Sequence, residues 1–337
     1  MTKHKKDIWW IAALLLMLLF SGCGGHTSGA TTSTPTPIPA SGSIVSTRLA
    51  TTGCGKAAPI AQGTSADFTL TSGGLQRAYR LHIPIGYDSQ KLTPLVLSIH
   101  GYRGNSSNQE SRFGQSPQAD QQHFLVVYPQ GTLGPEKVPA WSTYGKFDPT
   151  VNDVLFFSDL LTSLQQRLCV DPQRIYAIGV SNGGGMVNLL ACQMSERIAA
   201  FVLVSAAIYP IPGGCHPTRP VPYLEFHGTS DPLVNYNGSK PGRSLDFAPI
   251  MQTMQDWATR DDCTGRPTIF FQQADVTGFQ WTGCQDNVAV EHYKIDGGGH
   301  AWPGMQNAPA NSPLGKTTQT ISATELSWAF FQHYQLS

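Results

Sequence analysis

The sequence predicts an α/β fold in which helices cover both faces of a mostly parallel sheet. Apolar runs typical of strands recur at residues 77–84, 95–100, 124–128, 175–180, 201–207, 223–226 and 288–295. The middle runs are continuous blocks of Val, Ile, Leu and Phe, which is the pattern of strands buried on both faces. Helical patterns lie between them, and strands that alternate with helices favour a parallel sheet.

Two of the helical segments show a clear pattern. In the first, apolar residues recur at steps of three and four and share one helix face: Val154, Phe157, Leu161, Leu164 and Leu168. The second segment, near the C-terminus, opens with SATE at 322–325, a capping-box pattern, and continues with an apolar run. We therefore expect helices in both places.

The first 23 residues have the composition of an export signal. Three lysines precede an uncharged run at 8–20, which is short for a membrane span, and small residues follow up to Cys23. The stretch LFSGC at 19–23 also resembles a bacterial lipobox, in which the cysteine receives lipid. Phe20 departs from the usual leucine, so conventional signal cleavage is the alternative. We predict export, with a lipid on Cys23 that anchors the chain at the outer face of the membrane.

Composition indicates how the chain is organised and which classes of binding partner are not expected. Residues 24–47 are mainly Gly, Ser, Thr and Pro, which predicts a tether ahead of a folded domain at 48–337. Lys plus Arg and Asp plus Glu both number 22, so no excess charge points to nucleic acid or to a polybasic membrane surface. Membrane contact is therefore expected through the N-terminal lipid alone.

The cysteine count predicts three disulfide bonds. The chain has seven cysteines, and setting Cys23 aside leaves six, an even number in an exported protein. The sequence does not determine the pairing, and one or two buried free thiols are the alternative. The pairing that we take as the prediction is Cys263–Cys284, Cys192–Cys215 and Cys54–Cys169.

The segment GVSNG at 179–183 places Ser181 between two glycines, where a buried strand ends and a helix begins. A G-x-S-x-G turn is sharp and strained, and side chains at Gly179 and Gly183 would collide with the strand and the helix. Backbone N–H groups at the helix N-terminus can hold a developing negative charge. Ser181 is the candidate nucleophile, and the alternative is a glycine-rich turn whose serine has no catalytic role.

A serine nucleophile needs a base that takes its proton and an acid that orients the base. In a sheet of this kind both should follow later strands, in the order Ser, acid, His. In PYLEFHGTSDPLV, Asp231 follows a strand in a short loop, and in VEHYKIDGGGHAWPG, His300 follows a strand and three glycines. These two residues are the predicted acid and base.

Other residues of the same types are weaker candidates. Asp286 and Asp296 are alternative acids, but the first precedes its strand and the second precedes its loop. His227 is interpreted as a structural histidine at a strand end, bonded to nearby backbone, and His292 lies inside a strand. The remaining rival histidines lie in elements remote from the expected site: His82, His123 and His333.

The negative charge that develops during ester cleavage needs a second N–H donor besides that of Asn182. In LVLSIHGYRGN, a buried strand ends at His100 and a tight turn follows at 101–104. We predict the N–H of Tyr102 as the second donor. His100 would shape this loop and is not the predicted base.

On these motifs the sequence resembles the α/β-hydrolase superfamily, and more closely its branch of extracellular polyhydroxybutyrate depolymerases, feruloyl esterases and acetylxylan esterases. The matching pieces are HGYRGN, RIYAIGVSNGGGM, HGTSDPLVNY and GGGHAWPG, within about residues 75–335. The resemblance implies Ser181 as nucleophile, Asp231 as acid and His300 as base. It also implies that four residues lie near the substrate: Trp141, Asn152, Asp153 and Trp302.

The branch mixes substrates. Its secreted polyester depolymerases usually add polymer-binding modules after the catalytic domain, a pattern not seen after the last predicted helix, so we expect feruloyl esters of plant cell-wall polysaccharide. Trp141, Tyr144, Phe147 and Trp302 could offer stacking faces to a planar phenolic group, although they could equally pack the loop. A polyester or acetylated xylan is the alternative substrate.

The predicted chemistry is ester hydrolysis through an acyl-enzyme, with no metal or organic cofactor. Two other hypotheses remain open. One is a surface-tethered binding protein that kept the fold and lost catalysis, against which Ser181, Asp231 and His300 argue. The other is a peptidase, since the same triad serves peptide cleavage.

Overall fold

A computed structural model describes residues 51–134, 136–143, 148, 150–239, 246–309 and 311–337. The predicted export signal with Cys23 and the predicted tether lie outside the described residues, as do Tyr144 and Phe147. None of the helices in these ranges has the length and apolar character that a membrane span requires.

The described residues contain twelve strands and six α-helices, with a short 3₁₀ helix at Gln285–Asn287. The strands are β1 (Thr64–Ser72), β2 (Leu75–Ile83), β3 (Thr93–Ile99), β4 (Leu125–Pro129), β5 (Thr132–Leu133), β6 (Pro139–Ala140), β7 (Val170–Val180), β8 (Ala200–Val204), β9 (Tyr223–Gly228), β10 (Thr268–Gln273), β11 (Val276–Trp281) and β12 (Val290–Ile295). The helices are α1 (Ser106–Phe113), α2 (Gln115–Gln122), α3 (Asp153–Arg167), α4 (Asn182–Gln193), α5 (Ile250–Arg260) and α6 (Ala323–Phe331).

Ten of the strands form one sheet in the order β1-β2-β4-β3-β7-β8-β9-β12-β11-β10. The six central strands, β4-β3-β7-β8-β9-β12 in sheet order, run parallel to one another. Antiparallel strands flank them, β2 and β1 on one side and β11 and β10 on the other. The ends of β3, β7, β8, β9 and β12 therefore meet along one side of the sheet, which we call the carboxyl edge. This confirms the predicted α/β fold with a mostly parallel sheet.

Helices cover both faces of the sheet because successive strand residues point to opposite sides. On β3, Leu95, Leu97 and Ile99 join a cluster with residues of α3, α4 and α5, whereas Val96 joins a cluster with residues of α2 and α6. The predicted helix at 154–168 corresponds to α3, and the capping box at 322–325 begins α6 through a Ser322 Oγ cap. The continuous apolar runs of the sequence thus mark strands with two buried faces.

The sequence did not predict β1, β10 and β11, which lie at the sides of the large sheet, or β5 and β6, which form a separate two-stranded sheet. In β1 and β10, exposed and partly buried residues predominate, and β11 alternates buried residues with partly buried ones. Strands β1 and β11 have at most one covered face, and five of the six residues of β10 are exposed, so none of the three shows the pattern of a strand buried on both faces. Strand β7 also begins earlier than expected, at Val170 rather than Ile175.

Three disulfide bonds join the six described cysteines: Cys54–Cys169, Cys192–Cys215 and Cys263–Cys284. These are the pairs that we predicted. They span sequence separations of 115, 23 and 21 residues. Several disulfide bonds in one chain are typical of proteins that fold in an oxidising compartment.

Replacing Cys54 and Cys169 by alanine should lower the free energy of unfolding more than the same change at Cys263 and Cys284. Loop-closure entropy gives about 5 kcal/mol for a separation of 115 residues and about 3 kcal/mol for one of 21. Urea unfolding of the two double variants, followed by circular dichroism, measures the difference. Equal losses would show that loop length does not set these contributions.

Candidate active site

Ser181 occupies a strained turn between β7 and α4. Its backbone has φ 57° and ψ −121°, a conformation that residues with a side chain rarely adopt. The Ser181 N–H donates to the Val204 carbonyl at 2.9 Å, and the Ser181 carbonyl accepts from Gly185 N–H at 3.0 Å and Ala207 N–H at 2.9 Å. A fixed backbone therefore holds the serine at the carboxyl edge.

The two glycines of this turn are required by the space around them. A Cβ on Gly179 would lie 2.4 Å from the carbonyl oxygen of Gly183. A Cβ on Gly183 would lie 2.3 Å from the carbonyl oxygen of Ile99. Helix α4 can begin this close to β3 and β7 only where side chains are absent.

Asp231 and His300 follow β9 and β12 and meet at the carboxyl edge. His300 Nδ1 lies 2.7 Å from Asp231 Oδ2. Because a carboxylate only accepts hydrogen bonds, Nδ1 carries the proton, and Nε2 of the neutral ring is left as an acceptor. That tautomer is the one a general base needs.

The loops that carry the acid and the base are tied together by backbone contacts. The Ser230 N–H donates to the Gly298 carbonyl at 2.9 Å, and the Thr229 N–H donates to the Ile295 carbonyl at 2.9 Å. The His300 N–H also donates to the Leu314 carbonyl at 2.6 Å, which fixes the loop of the base to the segment after it. A Cβ on Gly228 would lie 2.2 Å from the Gly298 carbonyl oxygen. Glycine at 228 therefore allows the close approach that brings Asp231 to His300.

Asp231 is ionised in this arrangement. Its Oδ1 accepts the N–H groups of Leu233 and Val234, each at 2.8 Å. Burial alone would raise the pKa of Asp231, but hydrogen bonds and charge interactions with His227 and His300 hold it well below its usual range. The carboxylate is thus a permanent anion that can orient and stabilise a protonated His300.

Ser181 lies at the same edge as this pair, separated from it in the sheet by β8. In the part of the chain that the structure describes, Ser181 Oγ makes no hydrogen bond to His300. Hydrogen bonds between catalytic groups are often long without substrate and tighten in the complex. The structure therefore joins Asp231 and His300 directly and places Ser181 at the same edge of the sheet, with β8 between β7 and β9.

The loop after β3 approaches Ser181. A Cβ on Gly101 would lie 3.2 Å from Ser181 Cβ. His100 holds this loop, since its Nε2 accepts from the Gly131 N–H at 3.0 Å and its Nδ1 donates to the Gly101 carbonyl at 2.8 Å. Burial lowers the pKa of His100 to about 4, so the ring stays neutral. This environment fits a loop-shaping role and not that of the base.

Trp141 ties the start of α4 to the same loop. The Asn182 side chain accepts from the Trp141 N–H at 2.8 Å and donates to the Trp141 carbonyl at 3.1 Å. The Trp141 indole N–H donates to the His100 carbonyl at 2.8 Å. The two backbone donors predicted for the oxyanion, at Tyr102 and Asn182, lie on the two segments that Trp141 joins.

The two tryptophans expected near the substrate are both buried. Trp141 is 0% exposed and packs against Phe156 and Phe157, so its indole offers no face to a ligand here. Trp302 is 2% exposed, stacks on Phe113 at 4.4 Å, and donates to Thr324 Oγ1 at 3.0 Å. Both side chains stabilise loops around the site.

The other two residues expected near the substrate, Asn152 and Asp153, begin α3. Asn152 caps the helix by accepting from the Leu155 N–H at 2.9 Å. Asp153 is buried, pairs with Arg77 at 2.6 Å and accepts from the Ser142 N–H at 2.7 Å. The contacts of Asp153 fix the start of α3 to Arg77 of β2 and to Ser142, and a substrate contact of Asn152 or Asp153 stays a prediction.

The sequence did not predict that His227 contacts both Asp231 and Glu225. His227 Nε2 lies 3.4 Å from Asp231 Oδ2, and its Nδ1 lies 2.7 Å from Glu225 Oε1. The available signal was Glu225 itself, a carboxylate inside a buried strand, because a buried charge requires a partner. No cluster of His, Cys, Asp or Glu side chains suited to a metal ion occurs among the described residues.

Comparison with known proteins agrees with this geometry. A model of the alpha/beta hydrolase fold matches residues 94–243. Feruloyl esterase B of Piromyces equi is 34% identical over 225 residues, which cover 65% of this chain and 41% of that protein. This chain thus spans about two fifths of the length of that relative. A probable feruloyl esterase C of Aspergillus terreus is 28% identical over 302 residues, covering 86% of this chain and 94% of that protein.

A solved structure supports the same fold. An acetyl xylan esterase from Aspergillus awamori superposes with a TM-score of 0.57 at 14% identity, over 79% of this chain and 99% of that one. The fold, the turn at Ser181 and the matched sequences agree. The chain has the α/β-hydrolase fold, and its sequence is similar to those of feruloyl esterases and acetylxylan esterases.

Proposed function

We propose that this protein is a serine carboxylic-ester hydrolase that acts through an acyl-enzyme, with feruloyl esters of plant cell-wall polysaccharide as substrate. The observation that carries the proposal is the 2.7 Å contact between His300 Nδ1 and Asp231 Oδ2 at the edge where the strained turn presents Ser181. An imidazole oriented in this way can activate a serine hydroxyl. The relatives named feruloyl esterase support the substrate class.

The first half of the reaction forms the acyl-enzyme. Ser181 Oγ bonds to the ester carbonyl carbon while His300 Nε2 takes the hydroxyl proton, and the carbonyl electron pair moves to oxygen. The N–H groups of Tyr102 and Asn182 donate to this oxyanion, and Asp231 stabilises the protonated His300. The ester C–O bond then breaks, and the leaving alcohol takes the proton from Nε2.

The second half releases the acid. Water gives a proton to His300 Nε2 as its oxygen bonds to the acyl carbon, and a second oxyanion forms in the same place. The bond between the acyl carbon and Ser181 Oγ breaks, and Oγ recovers the proton from Nε2. The products are one carboxylic acid and one alcohol, and the enzyme returns to its starting state.

We also propose that the protein works outside the cytoplasm. The three disulfide bonds support export. Attachment of lipid to Cys23 rests on the lipobox resemblance alone, because Cys23 lies outside the described residues. Metabolic labelling with a radioactive fatty acid, in the wild type and in Cys23→Ser, tests that attachment.

Ser181→Ala should lower kcat for p-nitrophenyl acetate by roughly 10⁶-fold and remove the burst of p-nitrophenol, because no acyl-enzyme can form. Circular dichroism should show an intact fold. The matched control is Ser205→Ala, at the end of neighbouring strand β8, whose buried side chain cannot reach a substrate. Turnover that persists in Ser181→Ala would rule out the assigned nucleophile.

Asp231→Asn should lower kcat by roughly 10⁴-fold with little change in KM, because an amide no longer fixes the His300 tautomer or stabilises the protonated ring. The controls are Asp286→Asn and Asp296→Asn, which change the two exposed rival acids and should leave kcat unchanged. Steady-state kinetics on one p-nitrophenyl ester measures all three. A large loss at either control position would move the acid away from Asp231.

A panel of esters tests the substrate class. Methyl ferulate should be cleaved with a higher kcat/KM than acetylated xylan or short hydroxybutyrate oligomers, as the names of the matched relatives suggest. p-Nitrophenyl esters from acetate to octanoate calibrate the tolerance for the acyl chain. Faster cleavage of hydroxybutyrate oligomers would instead indicate a polyester depolymerase, and amide cleavage a peptidase.

A further inference from the structure

Strand β9 carries two buried ionisable groups behind the predicted acid. Glu225 and His227 are two residues apart on one face of the strand, and their side chains are 1% and 0% exposed. His227 Nδ1 lies 2.7 Å from Glu225 Oε1, and His227 Nε2 lies 2.8 Å from the Val234 carbonyl oxygen. The mechanism above uses neither group.

The contacts of His227 define its charge. A neutral imidazole has one N–H donor, but the two ring nitrogens of His227 face the Val234 carbonyl and the Glu225 carboxyl group. Burial alone would raise the pKa of Glu225, but the charge of His227 and hydrogen bonds with His227 and His292 lower it to about 2, so this carboxylate is ionised and only accepts. Both nitrogens must therefore carry protons, so the ring is an imidazolium. Burial alone would lower the pKa of His227, but the Glu225 charge and hydrogen bonds with Asp231 and Glu225 raise it to about 10.

This imidazolium also contacts the catalytic acid. His227 Nε2 lies 3.4 Å from Asp231 Oδ2, the same oxygen that lies 2.7 Å from His300 Nδ1. One carboxylate oxygen thus lies between two histidine rings. A fixed cation on the far side of the carboxylate draws its negative charge away from the His300 proton.

We propose that His227 and Glu225 form a positioning pair, in which a permanently charged His227 holds Asp231 and weakens the hold of that carboxylate on the His300 proton. Glu225 keeps His227 protonated by supplying the compensating buried anion. The inference deepens the proposed function and rests on it. His227 is a positioning residue, since it acts on the reaction only through Asp231.

The other charged or titratable groups around His227 do not alter its pairing with Glu225 and Asp231. His292 Nδ1 lies 3.0 Å from Glu225 Oε2, and its Nε2 bonds to the Tyr236 hydroxyl at 2.9 Å. Lys294, the register partner of His227 on β12, is paired with Asp296 at 3.0 Å. The charged or titratable groups that face His227 are therefore Glu225, Asp231, His292, Tyr236, Lys294 and His300.

The kinetic test is the pH dependence of kcat/KM in His227→Gln. Glutamine keeps an N–H donor in the pocket but carries no charge, so Asp231 should hold the His300 proton more strongly. The acidic limb of the profile should move to higher pH by about one pH unit. Because Asp231 stays ionised far below this range, the limb reports His300.

The matched control is Tyr236→Phe. It removes the hydrogen bond to His292 in the same buried pocket and alters no charge beside Asp231. It should lower Tm and leave the acidic limb in place. If both variants lose stability and neither moves the limb, His227 has only a structural role, and the inference is wrong.

A second measurement does not depend on activity. Long-range ¹H–¹⁵N spectra of the histidine rings, with His227 assigned by its loss in His227→Gln, should show both nitrogens of His227 protonated at pH 8. In Glu225→Gln, the ring should lose a proton at lower pH, because the compensating anion is gone. A neutral His227 ring at pH 8 in the wild type would overturn the proposal even if His227→Gln does not fold.

The charge of His227 also predicts how the stability of the wild type changes with pH. The pKa of His227 is raised from 6.5 to about 10 in the folded chain, so its contribution is complete below pH 6.5 and is lost as the pH rises towards 10.

A failure of the proposed function can be told apart from a failure of this inference. In that case the wild type lacks Ser181-dependent ester cleavage, whereas the ring spectra still report the charge of His227.

Discussion

The absence of side chains where α4 meets β3 and β7 is the constraint on which the rest of the structure depends. At Gly179 and Gly183, even one carbon atom would overlap with backbone less than 2.5 Å away. Because the helix starts so close to the sheet, Ser181 must turn through a backbone conformation that residues with side chains avoid. The surrounding hydrogen bonds and the buried sheet compensate this strain and keep the hydroxyl at the carboxyl edge.

The central sheet could be predicted because burial on both faces leaves a direct mark on sequence. Val, Ile, Leu and Phe make up most of β3, β4 and β8, and every residue of these strands is buried, so they stand out from their surroundings. The outer strands β1 and β10 have one face in water, and their polar residues resemble those of loops. Register and strand order follow from long-range pairing, which no local pattern contains.

The sequence predicted that Asp231 and His300 would meet, because this follows from chain order, and it did not predict the contacts that follow from packing. Ser181 comes directly after β7, and Asp231 and His300 lie in the loops after β9 and β12; the carboxyl ends of these parallel strands share one edge. Trp141 shows the limit of such reasoning, because motif position indicated a substrate contact while the structure buries its ring. The interpretation of His227 as bonded to backbone agrees with its contact to the Val234 carbonyl. Its contact with Glu225 depends on which face of β9 is covered, and sequence spacing alone does not show how that pair meets Asp231.

The disulfide bond between Cys54 and Cys169 has a mechanical consequence. Cys169 lies directly before β7, and Ser181 lies past its end. Val170 and Gly179 of β7 pair with Thr93 and Ile99 of β3, and the six steps between those two β3 residues, at about 3.3 Å each, separate the two ends by roughly 20 Å. A pull on the backbone upstream of Cys54 is therefore transmitted to a covalent bond at the opposite end of β7 from the nucleophile. Tension in that part of the chain would load this cross-link and leave the strained turn at Ser181 undisturbed.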